Sequence, residues 1–125
     1  KKHTISFKHA IDGLIWALTT QPNYRIHLFL SFLALLGSYV LHVSYIEFII
    51  IVFLITVGLV VETLNTGLEE TTDAIDKKIR EDIKIAKDVA AAAMLIYSIG
   101  AFVIACMIFL PKLFIYFYDF IVNYL

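Results

Sequence analysis

The sequence has one cysteine, Cys106. A single thiol excludes an intrachain disulfide, and its place in an apolar run reads as a buried, inert side chain. Charge is scarce too: 17% of residues are charged and the formal net charge is −1, which argues against a nucleic-acid partner. Residues 1–24 lack the charged stub and apolar block of a cleavable signal and are amphipathic instead. Two prolines occur, Pro22 and Pro111, and each marks an expected helix end. Hydrocarbon is abundant: 61% of the 125 residues are apolar, and the mean hydropathy is +0.86. A soluble core of this size cannot absorb that much, so the expected class is an all-α integral membrane protein. The length allows one domain with about three spans.

The chain divides at its polar punctuation. Residues 6–19 read as an amphipathic surface helix, with Phe7, Ala10, Ile11, Leu14, Ile15 and Leu18 opposed to Lys8, His9 and Asp12. Gln21-Pro22-Asn23 breaks it. A first span is expected over 25–43, followed by a short turn at His42-Val43-Ser44. The second helix, 46–75, meets no breaker and is longer than a bilayer needs, so its last turns should project into water. A charged loop follows over 76–82. The third helix, 84–110, contains Ala90 to Ala93, small side chains that permit close helix packing. Pro111-Lys112 should end it, leaving residues 113–125 as an aromatic helix along the far interface. Lys and Arg flank the first span on one side and crowd the 76–87 region, while the His42 turn has none. The positive-inside rule then puts the N-terminus and the charged loop in the cytoplasm.

The apolar second helix ends in an acidic face. Glu62, Asn65, Glu69 and Asp73 are spaced so that they fall within an arc of about 80°. Ionisable groups at membrane depth are costly and mark function by default. Phosphoryl transfer needs a base or orienting group, a divalent cation and positive charge around the phosphates. Carboxylates at Glu62, Glu69 and Asp73 suit the first two needs, and Lys87 suits the third. Asp88 stands beside Lys87 at the start of the third helix. The alternative on the residues alone is a solvated acidic helix end balanced by the basic loop. Glu62 lies too deep in the apolar run to fit it well.

These residues carry a resemblance. Glu62-Thr63-Leu64-Asn65-Thr66-Gly67-Leu68-Glu69 and Asp73, then Ala86-Lys87-Asp88 followed by alanines, resemble the prokaryotic diacylglycerol kinase family, whose signature is E-x-x-N-[ST]-[AG]-[IL]-E-x-x-x-D with a downstream A-K-D. Ser6-Phe7, Ala10, Gly13, Asn23, His27 and Ile108 to Lys112 are more similar to its undecaprenol kinase branch. The resemblance covers about residues 5–112.

The resemblance implies a homotrimer, with three spans and a surface helix per subunit, in the bacterial inner (cytoplasmic) membrane. It implies active sites at the cytoplasmic interface, shared between subunits, with ATP as donor, magnesium as cofactor and a membrane lipid alcohol as acceptor. Glu62 matches the general base for the lipid hydroxyl and, with Asp88, makes up the catalytic candidates. Glu69 matches a ligand of the magnesium that bridges the ATP phosphates. Asn65, Asp73 and Lys87 match residues that bind nucleotide or organise the site, as does Asp88. Gln21 stands where the family usually has a metal-binding acid; its amide oxygen can coordinate magnesium, but without charge. Asp12 stands where a basic residue is common, and Gly67 where alanine is. His27 is expected as an interfacial hydrogen-bonding residue, His3 and His9 as solvated, His42 as an outer head-group residue, and Trp16, Phe7 and Tyr24 as interfacial anchors. Undecaprenol is the favoured acceptor and diacylglycerol the runner-up. A non-catalytic membrane protein with carboxylates at an ion path or trimer contact is the alternative of a different class. Joint retention of Glu62, Glu69 and Asp88 favours the enzyme.

Overall fold

The few breaks in the sequence become the joints between helices. The structure, a computed structural model, describes residues 2–75 and 80–124, with side chains at 6–75 and 80–122. In chain order the helices are α1 (Lys2–Thr20), α2 (Pro22–Val40), α3 (Tyr45–Ile75) and α4 (Glu81–Tyr124). Among the described residues there is no strand.

Each joint has a local cause. Pro22 opens α2, where its missing N–H costs nothing. The ring also drives the preceding residue out of the helical region, and Gln21 sits at φ −98°, ψ 111°. One residue therefore separates α1 from α2. At the other end of α2, His42 N–H donates to Tyr39 O at 3.3 Å and Val43 N–H to Ser38 O at 3.1 Å, the Schellman pattern. His42 takes the left-handed position, φ 47°, that glycine usually fills. Ser44 and Glu47 then cap α3 reciprocally. Ser44 N–H donates to Glu47 Oε2 at 2.7 Å, and Glu47 N–H donates to Ser44 Oγ at 3.3 Å.

Of the charged loop expected over 76–82, residues 76–79 lie outside the described residues. Glu81 and Asp82 already form the first turn of α4, where carboxylates suit the helix dipole. The Arg80 guanidinium grips Asp82 at 2.7 and 3.2 Å and holds its carboxyl below the usual aspartate value.

The expected end at Pro111, and with it a separate helix over 113–125, does not occur. α4 runs unbroken from Glu81 to Tyr124 with Pro111 inside it. Proline removes one backbone donor, a loss that long apolar helices tolerate. Contacts on both sides keep the helix in line. Ile108 is buried, and Lys112 Nζ lies 3.0 Å from Glu47 Oε2.

At 1.5 Å per residue, the 31 residues of α3 span about 46 Å and the 44 of α4 about 66 Å. These two helices are long and apolar enough to cross a membrane. α2, expected as a span over 25–43, has 19 residues and opens on Asn23, Tyr24, Arg25 and His27, polar turns that keep its apolarity lower. α2 and α3 pack antiparallel, as do α3 and α4; α1 leans mainly on α2. The buried core is thin: Ala17, Tyr24, Ile51 and Ile108. Phe29, Phe53, Phe102 and Met107 are 60–72% exposed, and Ala91 to Ala93 also face outward. The chain turns its hydrocarbon outside, as a helix does whose solvent is lipid or a neighbouring subunit.

Candidate active site

Glu62 is the most buried charged residue described, 3% exposed. A carboxylate removed from water needs a partner. His27, on the second turn of α2, places Nε2 3.8 Å from Glu62 Oε2. The pair meets because α2 descends beside α3 in a fixed register. Tyr24, expected as an interfacial anchor, is instead buried against α3, with its hydroxyl 3.4 Å from Thr63 Oγ1. Trp16 and Phe7 are exposed.

Beyond Glu62 the same face of α3 carries Asn65, Thr66, Glu69 and Asp73. Thr66 is buried. Asn65 Nδ2 faces Glu69 Oε1 at 3.5 Å, while Asn65 Oδ1 is buried with no hydrogen-bond partner. Lys87 of α4 reaches across to Asp73 at 2.6 Å. Gln21 Nε2 approaches Glu70 Oε1, not Glu69, at 3.5 Å. Asp88 is exposed and pairs with Lys84 at 3.5 Å along its own helix. The chain thus brings Glu62, Asn65, Glu69, Asp73 and Lys87 onto one strip, sets Gln21 at its edge and turns Asp88 away.

An unpaired buried carbonyl oxygen costs about 1–3 kcal/mol, so Asn65 Oδ1 marks a place where a bound cation or donor would be favoured. With the half-buried Glu69 beside it, the donors are hard oxygens of the kind magnesium takes together with phosphate oxygens and water. The residues present therefore fit that ion. Among the described residues no three His, Cys, Asp or Glu side chains converge as a self-sufficient metal cage.

Below Glu62, a cavity of about 590 Å³ opens between α2, α3 and α4. His27 and Gly58 line it, and Leu30, Ile51, Leu54, Ile55 and Phe102 make its walls hydrocarbon. Two of its hydroxyls are turned to backbone. Ser31 Oγ donates to His27 O at 2.7 Å, and Tyr97 Oη donates to Leu54 O. His27 therefore touches both the carboxylate and the apolar cavity. Sequence reasoning noticed His27 but not this junction. The usable signal was a histidine and a glutamate, each at the polar edge of an apolar run, on helices joined antiparallel by a short turn.

Residues 8–109 match the prokaryotic diacylglycerol kinase family. An undecaprenol kinase of Bacillus subtilis is 36% identical over 108 residues, 86% of this chain and 88% of that protein. A diacylglycerol kinase of Synechocystis sp. is 34% identical over 110 residues, 87% of this chain. The chain spans 63% of the length of that cyanobacterial relative. With most of its length matched, this chain belongs to the prokaryotic diacylglycerol kinase family of lipid kinases.

Proposed function

We propose that this protein transfers the γ-phosphate of ATP to the hydroxyl of a membrane lipid alcohol, undecaprenol in the first place. The observation that carries the reading is a buried carboxylate, Glu62, 3% exposed, 3.8 Å from His27, which itself lines a hydrocarbon-walled cavity. A lipid tail fills the cavity and its hydroxyl comes to Glu62. Glu62 takes the hydroxyl proton, the hydroxyl oxygen forms its bond to the γ-phosphorus, and the bond from that phosphorus to the β–γ bridging oxygen breaks. ADP leaves with the electron pair.

Asn65 and Glu69 would hold magnesium, which when bound neutralises charge on the phosphates. Gln21, whose amide meets Glu70 at 3.5 Å, would have to turn from it to offer the same ion a neutral oxygen from the α1–α2 joint. Lys87, braced by Asp73, faces the nucleotide. Asp88 points away from this strip, so its place is with the site of a neighbouring subunit in a homotrimer; the outward alanines Ala91 to Ala93 supply a close-packing surface for that contact. α1 lies along the cytoplasmic surface of a bacterial inner membrane, α2, α3 and α4 cross it, and the N-terminus is cytoplasmic.

The choice of undecaprenol rests on the cavity and on the run from Ile108 to Lys112. Ser31 and Tyr97 are committed to backbone carbonyls, which leaves Ser98 and His27 as the polar side chains of the lining that could pair with the two esters of diacylglycerol, while a bare prenyl chain asks for nothing. The test is transfer of labelled γ-phosphate to each lipid in mixed micelles. Higher kcat/KM for undecaprenol is expected. Preference for diacylglycerol overturns the substrate, and transfer to neither overturns the kinase. Glu62→Gln should lower turnover by about 10²–10⁴-fold with ATP still bound; near-normal turnover removes Glu62 from its role.

A further inference from the structure

A second hollow lies at the end of the molecule away from Glu62. It measures about 290 Å³ and sits in the crook between the α2–α3 turn and the part of α4 that runs on past Pro111. Val40 and Leu41 wall it on one side and Ile115 on the other, and its charged side chains are Lys112 and Asp119. Both walls are held. Leu41 N–H donates to Gly37 O at 2.9 Å and Val43 N–H to Ser38 O at 3.1 Å, and Lys112 is tied to α3 through Glu47 at 3.0 Å. His42, at the rim, is set in place by the turn's left-handed backbone.

The helices give the hollow a depth. Glu47 stands about 22 Å along α3 from Glu62, and a bilayer's hydrocarbon is about 30 Å thick. With Glu62 at one boundary of the hydrocarbon, the Glu47–Lys112 pair falls close to the other. Residues 113–122 carry α4 about 15 Å further, through the head-group layer. Exposed tyrosines mark that layer, Tyr39 and Tyr45 beside the turn and Tyr116 and Tyr118 on α4.

The charges are ordered along α4. Lys112 and Asp119 share one helix face, about 20° apart around the axis and about 10 Å apart along it. The base lies on the hydrocarbon side and the acid on the water side. A zwitterionic phospholipid carries the complementary pair, a phosphate next to its acyl chains and an ammonium beyond. Charge-assisted contacts are about 2.7–2.9 Å long, so a phosphate and its ethanolamine fit between the two side chains. The imidazole of His42 adds one N–H even when neutral. An anionic lipid would bring a second negative group against Asp119. A choline head group would bring charge but no N–H to donate.

We propose that this hollow binds a zwitterionic phospholipid with a primary ammonium, of the phosphatidylethanolamine type, in the leaflet opposite the kinase site. Lys112 and His42 hold its phosphate, Asp119 accepts from its ammonium, and an acyl chain lies along Val40 and Leu41. The proposal rests on the reading of α3 and α4 as membrane spans.

The test is native mass spectrometry of the full chain, freed of lipid in detergent and titrated with dioleoyl phosphatidylethanolamine, phosphatidylcholine or phosphatidylglycerol. Asp119→Asn and Asp119→Lys are measured beside it. The unaltered chain should bind phosphatidylethanolamine about tenfold more tightly than either other lipid. Asp119→Asn should erase that preference. Asp119→Lys should transfer it to phosphatidylglycerol, a gain that a misfolded protein cannot show. Asp119 is exposed, so the helix signal of both variants should match that of the unaltered chain. An unaltered chain that binds all three lipids alike, or prefers phosphatidylglycerol or phosphatidylcholine, overturns the proposal. So does a preference for phosphatidylethanolamine that survives in Asp119→Asn. Binding is read without phosphate transfer, so a chain that transfers no phosphate but keeps the expected lipid ranking upholds the site and removes only the proposed reaction.

Discussion

Gly58→Ala tests the α3–α4 seam. An added Cβ at position 58 meets Tyr97 Oη at 2.6 Å and two ring carbons at 2.8 Å. The ring must shift, and Tyr97 then loses its bond to the Leu54 carbonyl. Overpacking costs about 1–3 kcal/mol and the lost hydrogen bond about 1 kcal/mol. The helical preference of alanine over glycine offsets roughly 0.8–1.0 kcal/mol of this. The net expectation is a loss of about 1–3 kcal/mol. In a Tyr97→Ala background the obstacle is gone, so the same substitution should stabilise by about 0.8 kcal/mol. Gly67→Ala is the control: nothing lies within 4 Å of its added Cβ, and it should stabilise in either background. The assay is reversible unfolding in mixed micelles, read by helix signal and by retained phosphate transfer. Equal effects of Gly58→Ala with and without Tyr97 would refute the steric argument.

Two further outcomes are expected. Gln21→Glu exchanges an amide that faces Glu70 at 3.5 Å for a second carboxylate, and two acids so close favour a divalent cation. The magnesium concentration giving half-maximal rate should fall with lipid preference unchanged; identical magnesium curves would place Gln21 outside the metal's reach. Ala92→Leu adds bulk to an outward face of the single chain, so helix content should survive while the proposed trimer is lost in size-exclusion or crosslinking measurements. An intact trimer would move the subunit contact to another face.

Much of the fold was readable because polar residues are so few. The long helix around Glu62 followed from an unbroken apolar run, and the α1–α2 joint from Pro22. The continuation of α4 through Pro111 was not readable. It depends on Lys112 meeting Glu47, a contact between residues far apart in the sequence. The depth of Glu62 was legible, but its partner was not. Pairing with His27 needs the antiparallel register of α2 and α3, which the turn at His42 sets. Lys87 and Asp88 show a different limit. Adjacent residues on a helix point about 100° apart, so both cannot face α3. Which one does is decided by the rotation of α4, and that is set lower down, where Tyr97 packs over Gly58.

The two ends of the α3–α4 pair are fastened by different means. At the Asp73 end the chain itself passes from Ile75 to Glu81, and Lys87 pairs with Asp73 beside that connection. At the His42 end the Schellman turn and the reciprocal cap join α2 to α3, and the tie to α4 is the ion pair of Glu47 with Lys112. The phosphate end is therefore the closed end of a hairpin and the His42 end its open one. Removing the Glu47–Lys112 pair would loosen α4 where it runs on past Pro111, about 39 Å along α3 from Asp73, and leave the polar strip at the closed end with its own fastenings.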